Sequence, residues 1–146
     1  MSVIVGYRPE PHGEAALERG IAEAVLRDLP LHVLHSVPVS DPGSAASARG
    51  QGATLSDREA DLAEIADRAR KAGVADVDTH LVLESRGEGQ FLHDLLELIE
   101  KVDGTLVVIG VRDRSRVGKV VLGSRAQDVL LHVDCPVLAV KLPPED

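Results

Sequence analysis

The sequence predicts an α/β protein with a single five-stranded parallel sheet and helices on both faces, Rossmann-like in its layering. Three observations carry this prediction. Short, nearly unbroken apolar runs alternate along the chain with longer stretches whose apolar residues recur every three or four positions. The runs themselves do not alternate polar with apolar, so both faces of those strands are expected to be covered, as in parallel sheets. A helix-length segment separates each run from the next, which is the crossover that a parallel connection requires.

The elements follow in order. Val3-Ile4-Val5-Gly6-Tyr7 is the first strand, closed by Arg8-Pro9-Glu10-Pro11. From Glu14 to about Leu29, Leu17, Ile21, Ala24, Val25 and Leu29 recur at helical spacing, and Leu31 to Val37 resumes strand character. Residues 40–55 are rich in Gly, Ser and Ala and too polar to pack, so a flexible loop is expected there. A helix over Ser56–Lys71 turns Leu62, Ile65, Ala66 and Ala69 inward and stops at Ala72-Gly73. Asp78–Leu83 is the third strand. Gln90–Val102 is a strongly apolar helix with Phe91, Leu92, Leu95, Leu96 and Ile99 on its buried side. Leu106–Ile109 is the most hydrophobic strand and ends at Gly110, Gly123-Ser124 opens the last helix, and Pro136–Val140 is the final strand. The order is βαβαβαβαβ, without repeats, and reads as one domain over residues 1–146. In such sheets ligands bind beyond the carboxyl ends of the strands, where the strand order reverses. Gly6-Tyr7-Arg8, Ser36-Val37, Glu84-Ser85 and Gly110-Val111 are expected on that rim.

Composition narrows the function. The 146 residues are 44% hydrophobic and 27% charged, a balance that builds a buried core in water. No apolar run approaches the ~20 residues needed to span a bilayer, and the opening Met1–Gly6 lacks the basic start of a signal peptide. No membrane association is expected. Cys135 is the single cysteine, which favours a reducing, cytoplasmic setting. With Tyr7 and Phe91 as its aromatics and a net charge of −8, the chain is poorly suited to stacking bases or tracking phosphate backbones, so no nucleic-acid partner is expected. The charge is uneven, however. Between Gly110 and Arg125 lie five cations and one anion, a segment of +4 on a remainder of −12. Such a basic loop is either a solvated surface or a local anion site.

Most chemical motifs fail on inspection. Gly118-Lys119 approaches a P-loop, but Asp113 replaces its first glycine and Val120 its magnesium-binding hydroxyl. Gly87-Glu88-Gly89 lacks the third glycine of a dinucleotide fingerprint and follows the third strand rather than the first. No Gly-x-Ser-x-Gly elbow is present, and no carboxylate pair stands out for acid–base work. No catalytic residue is nominated. The histidines do not make a metal site by spacing: His32 and His35, an odd number of residues apart on one strand, point to opposite faces. Cys135 before Pro136 reads as a small buried thiol. One pattern survives. Gly110 ends the fourth strand, and Gly123-Ser124 begins a helix thirteen residues later. Gly123 lets a ligand approach the backbone closely, the helix start favours phosphate, and the intervening cations neutralise it. Read more plainly, Gly110 is a turn glycine and Ser124 an N-cap.

On these residues the chain resembles the universal stress proteins. The resemblance is carried by Val3-Ile4-Val5-Gly6, by Leu106-Val107-Val108-Ile109-Gly110, by the Gly110…Gly123-Ser124 spacing and by Cys135-Pro136-Val137-Leu138-Ala139-Val140. The family's nucleotide motif is Gly, two residues, Gly, nine residues, Gly, then Ser or Thr. Here Asp113 stands at its middle glycine, and Arg8 stands where ATP-binding members usually carry an aspartate near the adenosine. The resemblance implies an adenine nucleotide alpha hydrolase-like domain that forms a homodimer through its last strand and, in one branch, binds ATP or AMP, with Mg2+ as an optional companion. It implies that Val5, Gly6 and Val37 rim the nucleoside. Gly110, Gly123, Ser124 and the Arg125 amide would hold phosphates, and Arg116 and Lys119 would supply countercharge. Two functions follow: a cytoplasmic adenine-nucleotide-binding protein of the stress response, or a nucleotide-independent dimer whose basic loop binds an acidic partner. Neither is an enzyme.

Overall fold

The computed structural model describes residues 1–38, 55–85, 87, 89–112 and 122–142. The expected flexible loop, Leu55 apart, lies outside the described residues. The chain forms β1 (Ser2–Tyr7), α1 (Pro11–Arg27), β2 (Leu31–Pro38), α2 (Leu55–Ala72), β3 (Val77–Glu84), α3 (Gly89–Val102), β4 (Gly104–Val111), α4 (Ser124–His132) and β5 (Val137–Lys141). All five strands pair in parallel in the order β3-β2-β1-β4-β5, so the chain winds outward from β1 twice, in opposite directions. The predicted fold class is the observed one.

The period-2 alternation along the strands divides the core. Val3, Val5, Leu31, Val33, Leu106 and Val108 face α1 and α2, where Leu17, Ile21, Leu62 and Ile65 meet them. Ile4, Leu34, Val107 and Ile109 face α3 and α4. On α3 the fully inward row is Phe91, Leu95 and Leu98. Leu98 was not in the predicted set, and Leu96 and Ile99 are only partly buried at its margin.

Helix ends explain where the predicted boundaries move. Pro11, which reads as a turn residue, is instead the first residue of α1, because its fixed φ suits a position whose amide has no intrahelical partner. Asp28 closes α1 in the left-handed conformation at φ 55°, where its amide bonds the Val25 carbonyl at 3.2 Å and that of Leu29 bonds Ala24 at 3.0 Å. Gly73 ends α2 in the same way with φ 115°.

Three imidazoles are held in the protein interior. His32 Nδ1 lies 3.1 Å from His80 Nε2 with the rings stacked, so a single proton between them serves the pair. His35 points to the other face, as the odd spacing requires, and is 1% exposed with its ring at right angles to Tyr7. Burial holds all three below the ordinary histidine pKa of 6.5, and for His35 the Arg58 charge adds to it. The folded state therefore favours neutral rings. Their stabilisation is complete above pH 6.5 and is lost as pH falls below it toward the folded-state values. Urea unfolding at pH 7.5 and 5.5 is expected to give a lower midpoint at the acid value, and His35→Leu is expected to flatten the decline.

Candidate functional site

The strand order reverses between β1 and β4, and there the sheet opens into a cleft of about 330 Å³. This is the usual position and a sufficient size for a small-ligand site in a doubly wound sheet. Gly6, Ile109 and Gly110 form its floor at the strand ends. Arg8, Glu10, His12 and Gly13, on the β1–α1 connection and the first turn of α1, form one wall. Gly123, Ser124 and Arg125 at the start of α4 form the other, with Phe91 and Glu84 behind. Because α1 and α4 pack on opposite faces of the sheet, the two walls confront each other across its carboxyl edge.

The glycines of the cleft have different reasons to be glycine. A Cβ on Gly110 would run into the His12 carbonyl, so this residue is bare to let α1 seat on the end of β4. Gly6 faces the Phe91 ring, whose Cζ lies 3.1 Å from where a Cβ would be. A Cβ on Gly123 would meet nothing within 4 Å among the described residues, and the backbone has φ −63° and ψ 157°, which any residue adopts. Neither packing among the described residues nor backbone geometry demands a glycine there. Gly123 is also the N-cap of α4, with Ser124 the first helical residue, which corrects the reading of Ser124 as cap. The positive end of the α4 dipole therefore abuts the cleft.

The charged side chains are extensively cross-linked. Glu84, with its side chain only 9% exposed, accepts hydrogen bonds from both the Arg125 guanidinium and the Ser36 hydroxyl. The guanidinium carbon of Arg125 sits 4.6 Å above the centroid of the Phe91 ring. On the opposite wall Glu10 holds His12 Nε2 at 2.9 Å and Arg112 at 3.6 Å. Burial keeps the His12 imidazole below its ordinary pKa; Glu10 opposes this, and the Arg112 and Arg8 charges reinforce it.

Of the residues nominated from sequence, Gly6, Gly110, Gly123, Ser124 and Arg125 converge on the cleft. Val5 does not join them, because its side chain is 0% exposed and points into the core under α1. Val37 is partly buried and is not among the described lining residues. Arg116 and Lys119 lie outside the described residues, as does Asp113. The sequence reading did not nominate Glu10, His12 or Phe91, and included Arg112 only as one of the cations between Gly110 and Arg125. For Glu10 and His12 the available signal was their position just after Gly6-Tyr7-Arg8, already expected on the rim. Away from the cleft, His93, Asp94 and Glu97 on α3 bring potential ligand atoms within 4.8 Å of one another, an i, i+1, i+4 grouping not picked out from histidine spacing.

Comparison with known proteins places this geometry. The model of the universal stress protein family matches residues 1–141. A universal stress protein of Mycolicibacterium smegmatis is 37% identical over 147 residues, covering 95% of this chain and 96% of its own. Among solved structures, a universal stress protein from Archaeoglobus fulgidus superposes with a TM-score of 0.69 at 29% identity, over 97% of this chain and 98% of its own. The Archaeoglobus fulgidus universal stress protein in complex with dAMP gives 0.65 at 25% identity, over 97% and 98%.

The Glu84–Arg125 pair yields a stability test. Glu84→Gln removes one charge of a largely buried pair and is expected to destabilise the protein by about 1–3 kcal/mol in urea unfolding, the low end reflecting Arg125's 21% exposure. Adding Arg125→Met, which removes the stranded charge and still covers Phe91, is expected to recover a large part of that loss.

Proposed function

The chain belongs to the universal stress protein family, and from that membership we propose that the cleft between β1 and β4 binds an adenine nucleotide, ATP or AMP, in a stress-response role. The observation that carries this reading is Gly123. It is a glycine at the N-cap of a helix, at the mouth of the cleft, and nothing among the described residues requires it to be glycine. Keeping that position bare leaves room for a phosphate against the first turn of α4. The dAMP complex of the Archaeoglobus fulgidus relative supports the same ligand class. Glu10 and Glu84 are the carboxylates of the cleft among the described residues, and both are engaged by nearer partners, so they do not fit a Mg2+ site. The nucleotide is read without a metal.

The protein is read as one domain over residues 1–146, without catalytic turnover, working in the cytoplasm as a homodimer. Among the described residues no helix is long and apolar enough to cross a membrane, and Cys135 is a free thiol. Among the described residues β5 pairs with β4 on one side only, and Leu130, Leu131 and Leu142 are exposed on α4 and just beyond β5. A twofold copy laid along β5 closes that edge. Sedimentation at micromolar concentration is expected to show a dimer; a monomer refutes the reading of β5. One observation favours the nucleotide-independent alternative: Arg112 and Arg125 already have carboxylate partners inside the cleft.

Calorimetry decides between the two. Gly123→Val is expected to weaken AMP and ATP binding at least tenfold while changing folding stability by less than about 1 kcal/mol, the scale of an N-cap substitution. Ser124→Ala is expected to have a smaller effect on affinity, since it leaves the backbone amides in place. A wild-type protein that ignores millimolar AMP and ATP supports the alternative.

A further inference from the structure

Once partners are assigned, the cations of the cleft fall into two groups. Arg125 is bound to Glu84 and stacked on Phe91 behind the α4 wall. Arg112 touches Glu10 at 3.6 Å, near the limit of an ion pair, and Glu10 also holds His12 at 2.9 Å. Arg8 lines the cleft, is half-buried, and has no ion-pair or hydrogen-bond partner for its side chain among the described residues. A guanidinium drawn partly out of water without a counterion is unfavourable unless an anion arrives to satisfy it.

Arg8 and Arg112 also share a location. Arg112 reaches Glu10, which holds His12 at the start of α1, and Arg8 lines the same cleft two residues before Glu10, so both arginines belong to the α1 side. The start of α4, with its positive dipole end, is on the opposite side. The cleft therefore has two positive poles separated by the floor at Gly6 and Gly110. A nucleoside monophosphate or a linear polyphosphate concentrates its charge at one end and satisfies one pole. A ligand that meets both carries anionic groups on either side of its sugar.

We propose that the preferred ligand of this cleft is a nucleoside bisphosphate, with its 5′-phosphate at the start of α4 and a second phosphate, on the ribose, held by Arg8 with Arg112 beside it. The inference rests on the nucleotide reading above and specifies its ligand. Arginine suits the second position because its planar fork grips phosphate oxygens, whereas a ribose hydroxyl is better met by a carboxylate. The same exchange of acid for arginine separates phosphorylated from unphosphorylated dinucleotides in other doubly wound folds.

The test is calorimetry at fixed ionic strength with AMP, adenosine 3′,5′-bisphosphate and adenosine 2′,5′-bisphosphate, on the wild type and on Arg8→Gln. At least one bisphosphate is expected to bind on the order of tenfold more tightly than AMP, as one added charge-assisted contact would give, and the preference is expected to shrink with added salt. Arg8→Gln is expected to lower bisphosphate affinity on the order of tenfold more than it lowers AMP affinity, with Arg8→Lys in between. Circular dichroism verifies that the variants fold. Equal wild-type affinity for AMP and both bisphosphates overturns the proposal while leaving the nucleotide reading intact, as does an equal loss of AMP and bisphosphate affinity in Arg8→Gln. Failure of all three ligands to bind the wild type overturns both.

Discussion

The structure depends on how closely α1 lies on the sheet. Three bare positions permit it: a side chain on Gly20 would strike a methyl of Val5, one on Gly13 would strike the Arg8 carbonyl, and one on Gly110 would strike the His12 carbonyl. At these points backbone meets strand or neighbouring backbone directly. Cores are packed too densely to absorb an extra methyl by compression, so α1 has one seat. That seat brings the first turn of α1 onto the carboxyl end of β4, although the two are remote in sequence. It fixes His12 and Arg8 on one side of the cleft, which opens where the strand order reverses because β2 and β4 pair on opposite sides of β1.

Much of this fold was legible in the sequence because it rests on period. Continuous apolar strands and amphipathic helices of alternating type leave few topologies open. The cleft was legible only in part. Gly6, Gly110 and Gly123 were found through spacing and position, but their separate reasons were not, since these depend on what a Cβ would meet in three dimensions. Val5 was misplaced for a simpler reason: it neighbours Gly6 in the chain but points to the opposite face. The Glu84–Arg125 pair could not be seen at all. Its members are 41 residues apart, and they meet because α4 reaches across Phe91 toward the end of β3.

Charge is where sequence and structure diverge most. A segment of +4 reads as a uniform basic loop. In the folded chain the described arginines of that segment, Arg112 and Arg125, belong to different walls, and each faces a carboxylate from elsewhere in the sequence. What remains available is set by pairing rather than by composition. Arg8, outside the basic segment, emerges as the cation without a partner among the described residues of the cleft.

Tyr7 gains a practical significance from its place in this arrangement. It is the single tyrosine of a chain that has no tryptophan. Its hydroxyl donates to Glu14 at 2.8 Å, and its ring stands edge-on to His35. The residues on either side of it, Gly6 and Arg8, both belong to the cleft. The protein thus holds one strong near-ultraviolet chromophore, fixed on the reverse side of the backbone that a ligand would touch, with only the far weaker absorption and emission of Phe91 beside it. Its intrinsic fluorescence is a local optical report on the floor of the cleft, available in the unlabelled chain.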